Sequence, residues 1–253
     1  METRGKSTPI EIAGRWWEVS RHALPVATVA LAIATLYGAF FYAAREKVMG
    51  DVQRIFYFHA PAGIVCFLAF FVTFVAGIGY LATRKPIWDI VGHASAEVGL
   101  LFCSIVLMTG PLWARPIWGT YWTWEARLTT TLILWLIYIG YLLVRRYTDN
   151  SEQRARFAAV VGIVGFLDVP IVYWSVSWWR GHHPLVLKVS GGGGLEPSMK
   201  TVFGMGVVTY LVLYATLLAV RIPLGRAQEE LNVLRERHEA ARRRAPARGA
   251  RVS

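Results

Sequence analysis

Cysteine is nearly absent from this chain: its 253 residues contain two, Cys66 and Cys103. They form no CxxC, CxxCH or zinc-ligand spacing, which excludes a disulfide framework, a zinc module and covalent attachment of a c-type haem. Both lie inside apolar runs, where cysteine serves as a small packing residue. Charge is scarce too. Charged residues make up 17% of the chain against 55% hydrophobic, which excludes an ordinary soluble domain. Period-two alternation is missing, which argues against a membrane β-barrel. No internal repeat stands out. The first 23 residues are polar and the apolar run after them is too long for a signal-peptide core, so no cleavable leader is expected.

What the sequence does contain is long apolar runs. Six can cross a bilayer, at roughly 24–43, 61–82, 92–112, 128–145, 157–174 and 201–221. Backbone polar groups cannot go unpaired in lipid, so each run is expected to be a helix. The fold class is therefore all-α, a polytopic membrane protein with six transmembrane helices. A net charge of +11 admits nucleic acid as one partner class, but the charges sit at the ends of the apolar runs, which favours the membrane and no nucleic acid. Nineteen Lys and Arg fall in the N-terminal segment, the second and fourth loops and the C-terminal tail; eight fall in the other three loops. Positive charge stays inside, so both termini are expected in the cytoplasm, with loops 44–60, 113–127 and 175–200 facing outward. The organisation is then a cytoplasmic segment 1–23, a membrane domain 24–221 and a basic cytoplasmic tail 222–253. In the tail, "AQEELNVLRERHEAARRR" reads as a short interfacial or solvated helix, and "APARGARVS" as disordered. A basic tail beside anionic lipid requires no further function, and His238 there is expected to face solvent.

The outward loops carry the chemistry. The first ends "DVQRIFYFHAPAG", with Pro61 suited to the first turn of the second helix and His59 at the membrane surface among aromatic residues. His59 reads as an interfacial histidine in an aromatic belt, or as a ligand. The third loop contains "WGTYWTWEARLT". Trp113, Trp118, Tyr121, Trp122 and Trp124 around Gly119 are far denser than the one or two rings a belt needs. They offer a flat face, with Glu125 and Arg127 to pair with polar groups of a ligand. A large planar ligand with anionic edges fits that better than a belt does. The fifth loop begins "YWSVSWWRGHHPL", with His182 and His183. Side chains of adjacent histidines diverge, so only one of the two is expected to reach a shared metal. Neutral imidazole binds iron well, and haem is a flat macrocycle that takes axial ligands on both faces. Arg54, Arg127 and Arg180 are candidate partners for its propionates. Histidine on both faces leaves no place for O₂, which suits carriage over oxygen chemistry. Zinc fits less well, because it needs three or four ligands and leaves the aromatic residues unexplained. Deeper in the chain, His93 and Glu97 share a helix face, and the structural reading of that pair is favoured. Asp168 precedes Val169-Pro170 in the fifth run, where a proline frees a backbone carbonyl.

Three ordered motifs, "YFHAPAG", "WGTYWTWEARLT" and "SVSWWRGHHP", together with six spans, resemble the haem exporter protein C family of cytochrome c maturation. The central motif is similar to the tryptophan-rich WWD signature of haem-handling proteins. The likeness covers about residues 15–222. It implies a multi-pass protein of the bacterial inner membrane that holds non-covalent haem b on its outer face, between two loop histidines and the tryptophan-rich loop. It implies transfer of that haem to a membrane-anchored haem chaperone, in company with an ABC transporter and a small single-span subunit, and no enzymatic activity. The iron ligands map to His59 and His183, with His182 as the alternative, and the cofactor face to Trp113, Trp118, Gly119, Trp122, Trp124, Glu125, Arg127 and Arg54. Glu125 departs from the aspartate usual in the signature: the charge is kept and the carboxylate moves by one methylene.

Two other classes compete. A secondary transporter with an aromatic outer lid predicts broken helices at the midplane and inverted repeats. A membrane enzyme acting on a lipid-linked substrate, with Glu125 as general base, needs a partner acid or metal that the loops do not supply. A Soret band in the purified protein separates the first reading from both.

Overall fold

A computed structural model of the chain describes residues 9–179 and 194–244. Within them run α1 (Pro9–Tyr37), continued by a π-helical turn (Gly38–Tyr42), and a 3-10 turn (Asp51–Ile55) that leads into α2 (Phe56–Thr83). Then follow α3 (Pro86–Trp118), α4 (Ala126–Tyr147), α5 (Ser151–Phe166), α6 (Asp168–Trp178) and α7 (Pro197–Arg244). No strand occurs among the described residues. Six segments are long and apolar enough to cross a membrane, with α5 and α6 together forming the fifth. This is the expected all-α, six-span architecture of a multi-pass membrane protein.

Local chemistry sets the boundaries. Arg84 adopts a left-handed conformation (φ 56°) and returns its N–H to Tyr80 O at 2.8 Å, closing α2. Pro86 opens α3, where a missing N–H costs nothing. Gly119 (φ 75°) closes α3, its N–H bonding Arg115 O at 3.1 Å. Asn150 caps α5 by accepting the Gln153 N–H at 2.9 Å. Pro170 cannot donate to Phe166 O, and the fifth span breaks just before it, at Leu167.

Two expectations shift. Pro61 is not in the first turn: α2 begins at Phe56, so Pro61 is its sixth residue and frees Tyr57 O. α7 comes close to that oxygen. An ideal Cβ on Gly206 would stand 2.7 Å from Tyr57 O. The tail sequence is also no separate helix. Alanine, glutamate and arginine carry α7 without interruption to Arg244, 48 residues and about 72 Å in all. His238 is exposed, as expected.

Small residues bring the helices together, as membrane packing requires. Ala62, Val65, Cys66, Ala69 and Phe70 of α2 form the core with Ala96, Phe102 and Cys103 of α3 and Tyr138 of α4. Phe70 stacks on Tyr138 at 3.6 Å between centroids. Both cysteines are free and buried. Threonine pairs tie α1 to α7: Thr28 with Thr216 at 2.9 Å and Thr35 with Thr209 at 2.8 Å. The opposite face of α1, with Val26, Val29 and Ile33, is exposed, as a lipid-facing surface would be. Toward the other end of α3, Arg145 donates to Asp89 at 2.8 Å and Arg221 to Glu97 at 2.8 Å, with His93 Nε2 3.5 Å from Glu97. His93 and Glu97 thus belong to an ion-paired cluster that joins α3, α4 and α7, in line with their structural reading.

Candidate functional site

The end of the bundle that carries the Trp-rich loop is assembled from the start of α2, the end of α3, the loop 119–125, the start of α4 and the end of α6. Gly50 (φ 61°) turns the chain into the 3-10 segment, and Arg54 anchors that segment. Its Nε donates to Asp51 at 3.1 Å, one terminal nitrogen reaches Asp51 at 3.0 Å, and the other bonds Ala39 O at 2.8 Å and also Phe40 O. Among the described residues, one of its five N–H groups remains for anything else. Arg54 therefore holds the end of the first span to the start of the second.

His59 lies on the first turns of α2, half-buried against α3. Its Nδ1 is 2.9 Å from Thr109 Oγ1. The Thr109 hydroxyl also reaches Ile105 O at 2.7 Å. Trp113 meets the imidazole edge-on, 5.8 Å between centroids at 68°. Gly110 closes the third side: a Cβ there would be 3.4 Å from His59 Cε1. Beneath them Phe56 is in ring contact with Trp113 at 6.1 Å and stacks on Phe203 of α7 at 5.0 Å. His59 is thus a ring fixed on several sides by α3. The sequence offered a trace of this in "MTGPLW", a threonine one turn before Trp113, but a hydroxyl in an apolar run looks like ordinary packing.

The tryptophan loop is held at both ends. Trp118 ends α3, and Arg115 reaches Gly119 O and lies over the Tyr121 ring at 5.6 Å. Trp122 and Trp124 meet edge-to-face at 5.6 Å. Trp124 has φ 53°, a left-handed backbone that a bulky residue rarely adopts, and its ring is 70% exposed. Glu125 precedes α4, and its carbonyl accepts the Thr129 N–H at 3.0 Å. Arg127, the second residue of α4, donates to Tyr173 O of α6 at 3.0 Å and ties the loop to the fifth span. Tyr173, Trp174, Trp178 and Trp179 extend an exposed aromatic face there, with Trp174 stacked on Trp178 at 6.0 Å.

Trp113 Nε1, Trp122 Nε1, Thr123 Oγ1 and Arg127 Nε are buried with no hydrogen-bond partner among the described residues. All four can donate; at the start of α2, Gln53 Oε1 and the Tyr57 hydroxyl are buried without a described partner as well. The structure brings His59 and Trp113 into contact, pairs Trp122 with Trp124, and links Arg127 to α6. Arg180, His182 and His183 lie outside the described residues.

The family model "Heme exporter protein C" matches residues 8–242. The chain belongs to the haem exporter protein C family. Among relatives, it is 36% identical to "Heme exporter protein C" of Bradyrhizobium diazoefficiens, over 77% of this chain and 74% of that protein. It is 30% identical to "Heme exporter protein C" of Escherichia coli K12, over 77% and 78%. It is 33% identical to a "Putative cytochrome c biosynthesis ccmC-like mitochondrial protein" of Marchantia polymorpha, over 60% and 64%. The match to the haem exporter protein C family takes in all three motifs and all six spans, and with them a multi-pass place in the bacterial inner membrane.

Proposed function

We propose that this protein takes part in cytochrome c maturation by holding haem on the outer side of the membrane and delivering it to a membrane-anchored haem chaperone. One observation carries this reading. A histidine fixed by Thr109, Gly110 and Trp113 lies at the same end of the bundle as a tryptophan-rich loop whose buried donors lack acceptors. A flat macrocycle with carboxylate edges supplies what those groups need: a π-face for the rings, acceptors for the donors, and an iron for imidazole. His59 and His183 are the proposed axial ligands, His182 the alternative. Trp113, Trp118, Trp122 and Trp124 around Gly119 are the platform. Arg127 is a proposed partner of the propionate edge, as is Arg54 with the N–H that its described bonds leave over, and Glu125 orients other polar groups of the ligand. With the termini in the cytoplasm this face looks outward. The proposed partners are the chaperone, the ABC transporter subunits and a small single-span subunit, with transfer and no catalysis.

Absorption spectra of purified, haem-loaded protein test it. Bis-imidazole iron is six-coordinate and low-spin, with sharp visible bands on reduction. His59→Ala and His183→Ala should each open an axial position and make the spectrum sensitive to added imidazole, and the double variant should lose haem. If His182→Ala alone does this, the second ligand moves by one residue. Unchanged spectra in all three single variants would sink the proposal.

A further inference from the structure

We infer that Thr109 is a positioning residue that fixes the tautomer of His59, so that the ring carries its proton on Nδ1 and its lone pair on Nε2. The inference rests on the proposed role of His59 for its meaning, but not for its test. A threonine hydroxyl has one proton to give and two lone pairs to accept with. The Thr109 proton has three acceptors within reach: Ile105 O at 2.7 Å, His59 Nδ1 at 2.9 Å and, at the limit of bonding, Val106 O at 3.5 Å. The shortest contact is the usual bond of a helical threonine to the carbonyl four residues back. With its proton on Ile105 O, Oγ1 meets Nδ1 as an acceptor, and the imidazole must donate there. A neutral imidazole has one N–H, so Nε2 is then the atom able to bind iron.

The surroundings turn that tautomer into an orientation. The two ring nitrogens point in nearly opposite directions, so the bond from Nδ1 to α3 turns Nε2 away from Thr109. Gly110 lets Cε1 sit against the helix, where a Cβ would stand 3.4 Å from it, and the edge of Trp113 blocks rotation. Metal-binding histidines commonly donate their second N–H to an oxygen that fixes the ring and strengthens the ligand. Thr109 supplies that oxygen from a neighbouring helix, fifty residues away in sequence.

Isotope-labelled histidine in haem-free, full-length protein in detergent reports the tautomer directly, with the His59 signals assigned by their loss in His59→Ala. The expected result is a protonated Nδ1 and an unprotonated Nε2. Thr109→Val keeps the side-chain shape and removes the oxygen, and should shift the ring toward the Nε2–H form; Thr109→Ser should restore the wild-type signals. In haem-loaded protein, Thr109→Val should weaken retention by about 10–100-fold, the usual effect of losing such a partner, and raise the reduction potential because the imidazole becomes a poorer donor. Thr109→Ser should reverse both. A wild-type ring protonated on Nε2 overturns the inference, and so does Thr109→Val with unchanged nitrogen signals. If instead His59→Ala keeps the haem spectrum while the tautomer measurements come out as expected, the axial-ligand reading of His59 fails and the Thr109 assignment stands.

Discussion

Trp124 is the residue at which the site departs furthest from relaxed geometry. Its backbone is left-handed at φ 53°, and such a conformation in a bulky residue costs about 1–3 kcal/mol. The ring gains little burial in return, since it is 70% exposed. What the geometry achieves is placement: Trp124 meets Trp122 edge-on, and its carbonyl accepts the Thr129 hydroxyl at 3.2 Å at the start of α4. Asparagine adopts this backbone readily. Trp124→Asn should therefore leave the melting temperature in detergent unchanged or raise it, while haem retention falls. By analogy with base stacking on an aromatic ring, the lost face is worth about 1–3 kcal/mol. A lower melting temperature with haem retention intact would show that the exposed ring serves stability. The arginines divide along similar lines. Arg54 is bonded to Asp51, Ala39 O and Phe40 O, so its removal should loosen the first loop more than it affects haem.

Among the elements, the contact of α7 with α2 depends on a proline and a glycine acting together. Pro61 frees the Tyr57 carbonyl inside α2, and Gly206 lets α7 approach that oxygen. A methyl group on Gly206 would meet backbone, which cannot swing aside as a side chain can. Gly206→Ala should destabilise the protein by about 1–3 kcal/mol, read from thermal unfolding in detergent. Gly204→Ala is the control: nothing lies within 4 Å of its added carbon, so it should be neutral or slightly stabilising. Equal losses in the two would remove the close approach as the cause. The same elements show what the sequence could and could not reveal. The spans were legible because apolar length alone marks them; the tryptophan loop stood out because five rings in twelve residues exceed any belt, and its role as a platform is a proposal. The break before Asp168 was foreshadowed by Pro170. The start of α2 was not, because the proline suits a first turn and the helix begins five residues before it, at Phe56. The reach of α7 was hidden because its apolar pattern ends near residue 222 while its helix-forming composition continues. Thr109 was hidden for the same reason as Gly206: each matters through a contact between helices.

For the molecule as a whole, orientation in the membrane decides what the platform can meet. The Asp89–Arg145 and Glu97–Arg221 pairs neutralise two of the nineteen basic residues on the proposed cytoplasmic side. The remaining seventeen still outnumber the eight on the other side, so the orientation does not depend on them. A reporter active only outside the cytoplasm should be silent when fused after Ser253 and active when inserted near Gly192. The reverse pattern would turn the tryptophan loop toward the cytoplasm and undo the proposed haem hand-off. The buried thiols make such mapping unusually clean. Cys66 and Cys103 are sealed between α2 and α3 at 3% and 0% exposure, and the chain has no others. A maleimide that cannot cross the bilayer finds no reactive sulfur on the native protein. A single cysteine introduced in a loop then becomes the one chemical handle in the molecule, and its labelling in intact cells reports its side of the membrane with the natural chain as the blank.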